Sequence, residues 1–221
     1  MWTHSVRFAY RIERTFKFTD DGTVEIEYVV SNPTAFALQA LWSMHPFLNV
    51  TPASRILLPL QTRIRVEASK HNRLGGFLTE HPWPQTVDNL GQPTDLGLLG
   101  SPEQAINDKL YTTPLTSGWA ALFDPLSDHY LAFTFDPREV PFVGIGTIRG
   151  GWPEGDIPAF TVILEPCKGW PDRLDLATTQ GSSFEIPAEG ECHWKVNLHL
   201  GKGWDKLAHI VGSEITMNGG C

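Results

Sequence analysis

The chain has 221 residues, 41% hydrophobic and 11% aromatic, which is enough apolar mass for a packed core and excludes an intrinsically disordered chain. A net charge of -8 argues against nucleic acid or an anionic membrane surface as the main partner. No apolar run is long enough to cross a bilayer, and Met1 to Arg14 alternates polar and apolar residues without the apolar stretch of a signal peptide, so a cytoplasmic protein is expected.

Taken in chain order, the elements read as strand after strand. Val6, Phe8, Tyr10 and Ile12 alternate with polar neighbours, and Asp20-Asp21-Gly22 supplies a turn into the alternation of Val24, Ile26, Tyr28 and Val30. Ile64, Val66 and Ala68 alternate with Arg63, Arg65 and Glu67. Leu131, Phe133 and Phe135 lie between two Asp-Pro turns at Asp124-Pro125 and Asp136-Pro137. Cys192, Trp194, Val196, Leu198 and Leu200 form a last apolar face. Helical periodicity is nearly absent, with one short helix predicted over 203–211.

The stretch 70–118 breaks this pattern. Eleven of its 49 residues are Gly or Pro and alternation is lost. It is read either as loops roofing a cleft or as short strands that the pattern conceals. The whole is expected to be one β-sandwich domain, residues 1–221, with a loop-rich insertion at about 70–118.

Three clusters carry candidate chemistry. Residues 160–165 form an apolar strand ending in Glu165 and stopped by Pro166, followed by a Lys168-Gly169-Trp170-Pro171-Asp172 turn. A carboxylate partly desolvated at such a strand end can act as a general base. Alternation puts Glu165 on the face of Thr161 and Ile163, opposite Val162 and Leu164. In Trp42-Ser43-Met44-His45-Pro46-Phe47-Leu48-Asn49, the proline holds His45 extended, and an imidazole suits a proton donor. Asn107-Asp108-Lys109-Leu110-Tyr111 is the third cluster, with Asp108 read as either a turn residue or a site residue.

Other chemistries find little support. Cys167, Cys192 and Cys221 lack C-x-x-C spacing and read as reduced thiols, and Cys167, without a His or Lys partner, is not expected to be a nucleophile. His193 and His199 share a strand face but stand about 20 Å apart at strand rise, too far for one metal ion. His71 and His81 have no ligand-like spacing, and no metal site is expected. Gly144-Ile145-Gly146 resembles the start of a dinucleotide-binding motif, but no helix pattern follows it. Arg138, Arg149 and Lys168 could meet a phosphate, though no spacing among them demands it.

The His45 segment, with Ile56-Leu57-Leu58-Pro59 after it, resembles the His-Pro-aromatic-x-Asn segment of the aldose 1-epimerase (galactose mutarotase) superfamily. Leu164-Glu165-Pro166 through Pro171-Asp172-Arg173-Leu174 resembles that family's later Glu-bearing strand and Pro-Asp loop, and residues 107–111 resemble the acidic segment between the two. The order His, Asp, Glu is the same, and the similarity covers roughly residues 20–200. It implies a large antiparallel sandwich binding a monosaccharide or sugar phosphate on a concave face, with Glu165 as base, His45 as acid and no cofactor. Asp108 would hold sugar hydroxyls, and Asn49, Trp42 and Trp170 would join it in binding substrate. Family members carry earlier strands with a second His and an Arg, to which His4 and Arg7 do not correspond. An N-terminally shortened member, with an open sheet edge suited to homodimerisation, is therefore expected. The alternative is a carbohydrate-binding module of the same fold without turnover, or a structural β-domain detached from a larger enzyme.

Overall fold

The computed structural model describes residues 1–4, 8–19, 22–153 and 159–212. Its elements in chain order are β1 Trp2–His4, β2 Arg11–Phe18, β3 Thr23–Asn32, β4 Leu38–Ala40, β5 Phe47–Leu48, β6 Arg55–Leu57, β7 Arg63–Ser69, β8 Glu80–Pro82, β9 Gln85–Val87 and β10 Pro93–Asp95. They continue with β11 Ile106–Thr112, β12 Trp119–Asp124, β13 His129–Phe135, β14 Phe142–Arg149, β15 Phe160–Cys167, α1 Leu174–Thr179, β16 Phe184–Ile186, β17 Gly190–Lys202 and α2 Trp204–Val211.

Two antiparallel sheets form a sandwich. One has seven strands in the order β1-β2-β3-β17-β13-β12-β6, and the other six in the order β5-β15-β14-β11-β7-β8. Ile26, Tyr28, Val30, Phe133, Trp194 and Val196 of the first meet Ile64, Val66, Leu110, Val143, Ile145, Val162 and Leu164 of the second in one core. Each such side chain, fully removed from water, contributes roughly 1.5–3 kcal/mol. The other face of the seven-stranded sheet is covered in part by α2, whose Leu207 is buried with Trp119, Phe123 and Tyr130. The outer face of the six-stranded sheet is left for side chains of other kinds.

Most alternating segments are strands with the expected inward face. The turn residues behave as their chemistry dictates: Asp124 and Asp136 each accept a backbone N–H two residues on, from Leu126 and Arg138. The helix predicted over 203–211 is α2, and α1 is an addition. Val6, Arg7, Asp20, Asp21 and Cys221 lie outside the described residues, and Phe8 and Tyr10 precede β2.

Of the two readings of residues 70–118, the structure shows the concealed strands: β8, β9, β10 and β11 lie there, and β11 is an interior strand of the six-stranded sheet. One expectation is corrected. Alternation in β7 holds only as far as Val66. The β7–β11 register shifts between Lys109 and Leu110, with Lys109 opposite Ala68 and Leu110 opposite Val66. Glu67 is the extra residue of this bulge, so Ala68 turns to the outer face and Ser69 goes inward, buried. No helix is long and apolar enough to cross a membrane among the described residues.

Candidate functional site

The register of the six-stranded sheet decides which side chains meet. Glu165 pairs with Gly144, Gly144 with Tyr111, and Tyr111 with Arg65, so these four share one row and one face. On the far side of β15, Phe47 pairs with Ile163, and Ser43 bridges Cys167. Midway between those pairs, His45 falls opposite Glu165. The Pro46 that holds the chain extended keeps this segment running alongside β15. Its side chains alternate, with Ser43, His45, Phe47 and Asn49 exposed and Trp42, Met44, Leu48 and Val50 packed against the core.

Glu165 is only 1% exposed, yet its carboxylate is fully engaged. Lys109 Nζ donates to Oε1 at 2.8 Å, Ser43 Oγ donates to Oε2 at 2.9 Å, and His45 Nε2 stands 3.5 Å from Oε1. The imidazole is half-exposed and lies over the outer rim, with the Phe47 ring 5.1 Å away. Lys109 reaches Glu165 across a floor of glycines. A methyl group at Gly144 would stand 2.9 Å from the Tyr111 ring and 3.1 Å from Glu165 Oε2, and one at Gly146 would press on Ile163. These are the residues of the rejected dinucleotide-like motif; their bare backbone is what lets the neighbouring side chains close over the strand.

Behind Lys109 stands a second group of acids. Lys109 Nζ is 3.8 Å from Asp172 Oδ1, the Tyr111 hydroxyl donates to the same carboxylate, and Glu67 Oε1 accepts the Asp172 backbone N–H at 3.2 Å. Burial raises the Glu67 carboxyl above its ordinary value, and the Asp172 charge adds to the effect. Burial likewise pushes the Tyr111 phenol far up, with the neighbouring Cys167 and Asp172 next in weight, so it remains a donor. The Cys167 thiol is fully buried and raised by that burial and by Glu165, which keeps it protonated and inert. Cys167 and Cys192 are free thiols.

Three site expectations fall away in this geometry. Asp108 pairs with Thr147, and Thr147 with Val162, a core residue, so Asp108 projects from the opposite face. There it accepts from Ser69 Oγ at 2.6 Å and from Arg73, with Arg149 Nη2 at 3.6 Å, and it has no oxygen to offer a sugar on the outer face. Trp42 belongs to the core side, edge-on to Tyr28 and Trp194 at 4.7 and 5.0 Å. Trp170 is buried with Tyr111, Phe142 and Cys167, and the Arg65 guanidinium lies 4.7 Å over its ring, so it has no free face for stacking. Asn49 is exposed on the same alternation as His45, past the end of β5.

Sequence reasoning passed over Ser43, Glu67, Lys109, Tyr111 and Asp172. The signal was present: period two puts Lys109 and Tyr111 on one face and Asp108 on the other. Elsewhere, His81 is buried between Thr86 and the Leu74 carbonyl. Among the described residues, no three His, Cys, Asp or Glu side chains gather to hold a metal ion.

No protein-family model matches this chain, and no curated protein matches it by sequence. Solved structures do match it. A candidate aldose 1-epimerase from Klebsiella pneumoniae superposes with a TM-score of 0.67 at 10% identity, over 94% of this chain and 50% of that one. A candidate aldose 1-epimerase from Escherichia coli gives 0.63 at 20% identity, over 91% and 64%. A galactose mutarotase related enzyme from Lactobacillus acidophilus gives 0.61 at 17% identity, over 90% and 63%. The chain thus has the fold of galactose mutarotase-like proteins and spans between half and about two-thirds of the length of these structures.

Proposed function

We propose that the chain binds an aldose on the outer face of its six-stranded sheet and interconverts the sugar's anomers. The observation that carries this reading is the placement of His45 directly opposite Glu165, imidazole against carboxylate, on the outer face of the six-stranded sheet. Ring opening needs one proton removed and one donated across a small ring. Glu165 takes the proton of the anomeric hydroxyl. The bond between C1 and the ring oxygen breaks, its electron pair goes to that oxygen, and the His45 imidazolium protonates it. Rotation about C1–C2 and reversal of the two transfers close the ring on the other face. Protons and electrons balance within the cycle, so the reaction needs no cofactor. Lys109 Nζ, donating to Oε1 at 2.8 Å, holds the Glu165 carboxylate in place for the first step. The fold shared with candidate aldose 1-epimerases supports the same reading.

One observation favours a second reading, sugar binding without turnover. Both oxygens of Glu165 already have partners, and the 3.5 Å between His45 and Glu165 leaves no room for a substrate between them. Turnover then requires His45 to move aside when the sugar enters. Exchange NMR of anomer interconversion on a panel of aldoses separates the readings. Wild type accelerating exchange on at least one aldose, with Glu165→Gln slower by about 10²–10⁴-fold, supports catalysis. Saturable sugar binding at the spontaneous exchange rate supports the module instead.

A further inference from the structure

Asp108, the carboxylate expected to hold sugar hydroxyls, faces the core, and Asp172 stands where such a group is needed. Lys109 Nζ lies 2.8 Å from Glu165 Oε1 and 3.8 Å from Asp172 Oδ1, so one ammonium joins the two carboxylates and a single six-membered ring spans them. Asp172 is fixed from two sides. The Tyr111 hydroxyl donates to Oδ1, and Glu67 Oε1 accepts the Asp172 backbone N–H at 3.2 Å. The other oxygen, Oδ2, takes no hydrogen bond among the described residues, and the side chain is 60% exposed. An acceptor held by one oxygen and open at the other is ready for a ligand's hydroxyl.

Sheet order decides which edge of a sugar it meets. β5, with His45 just before it, borders β15 on one side. β14 and β11 follow on the other, and Asp172 lies over β11 and β7 through Tyr111 and Glu67. His45 and Asp172 therefore flank Glu165 from opposite sides. In the proposed ring opening, C1 sits at Glu165 and the ring oxygen faces His45. The carbon across a pyranose ring from that oxygen is C3, so the C2–C3 edge points toward Lys109 and Asp172. We infer that Asp172 is a substrate-binding residue that accepts the C3 hydroxyl through Oδ2, so that the site selects aldoses with a free hydroxyl at C3. This rests on the aldose reading of the Glu165 centre. A hydroxyl donating to a carboxylate makes a charge-assisted bond, stronger than one to a neutral acceptor. Tyr111 and Glu67 place Asp172 before the sugar arrives, which leaves little ordering to be done on binding. Held at C3, the open chain keeps its position while the C1–C2 bond turns, and C1 returns to Glu165 for closure.

The test measures anomer exchange on the full chain with glucose, galactose and their 3-deoxy and 6-deoxy analogues, each rate taken over the spontaneous one. Wild type should lose about tenfold or more in kcat/KM on the 3-deoxy analogue of its faster sugar. Asp172→Ala should be slower on the parent sugar and show no 3-deoxy penalty, with the 6-deoxy penalty the same in both proteins. Asp172→Asn still accepts from Tyr111 and offers a neutral acceptor, so it should recover part of the 3-deoxy penalty. A 3-deoxy penalty of equal size in wild type and Asp172→Ala overturns the inference. So does a wild type that treats the 3-deoxy sugar like its parent. If wild type accelerates exchange on no sugar, the epimerase reading fails on its own, and the C3 contact is then read by calorimetric titration. A parent sugar that binds tighter than its 3-deoxy analogue in wild type, and not in Asp172→Ala, supports the contact; equal affinities, or binding of neither sugar, overturn it.

Discussion

The six-stranded sheet holds one buried carboxylate on each face, Glu165 at 1% and Asp108 at 2% exposure, and the two have opposite surroundings. Asp108 is held by Ser69, Arg73 and Arg149, all inside the sandwich, and Arg149 in turn donates to the Leu99 carbonyl at 2.9 Å. Guanidinium groups do not give up protons in proteins, so this cluster is a fixed ionic joint. Glu165 faces Lys109 and His45, groups that exchange protons, and His45 is half open to water. Depth of burial alone does not mark a site. What distinguishes the two faces is whether the partners of the buried charge can move a proton and be reached from solvent.

The comparison can be broken first on its structural side. Asp108→Ala leaves two largely buried guanidinium groups without their carboxylate, and a loss of about 3–5 kcal/mol in unfolding free energy is expected, read from the denaturant midpoint. A cost below about 1 kcal/mol would sink the idea of a structural joint. Gly144→Ala puts a methyl group against the Tyr111 ring and Glu165, and should cost about 1–3 kcal/mol and slow anomer exchange together. Glu165→Gln is expected to cost only about 1–2 kcal/mol, because the amide oxygen still accepts from Lys109, while exchange is lost. Equal stability losses in Asp108→Ala and Glu165→Gln would erase the distinction between the faces. The smallest effect is that of Glu67. Its folded pKa is raised, so its contribution to stability is complete below the ordinary value of about 4.5 and is lost as pH rises through the raised value. Melting temperatures from about pH 4 to 8 should show this decline in wild type and not in Glu67→Gln.

Much of this was legible in the residues. Strand-forming alternation gave the sandwich, and the apolar run into Glu165 and the His-Pro step at His45 marked the two residues that the fold brings within 3.5 Å of each other. β11 escaped because Asn107, Asp108 and Lys109 are polar on both faces. One face serves the open site and the other the ionic joint, so no apolar period remains to be seen. β14 was obscured by Gly144 and Gly146, which weaken a strand signal for the sake of close approach above them. Trp42, Trp170 and Asp108 were drawn toward the candidate site because they stand in motifs beside His45, Glu165 and Lys109. Parity separates Trp42 from His45 and Asp108 from Lys109. Only the fold reveals that Arg65 covers Trp170.

Glu165 and His45 are anchored unequally. Glu165 lies on an eight-residue strand paired along its whole length with β14, whereas His45 belongs to an edge segment whose paired strand, β5, is two residues long. Short edge segments are where a sheet opens first. Backbone amides of residues 43–48 should therefore exchange with deuterium well before those of 161–166, and equal protection would refute this. On the proposed reading, a sugar entering the site would part the pair by peeling back an edge: His45 travels, and Glu165 stays where it is.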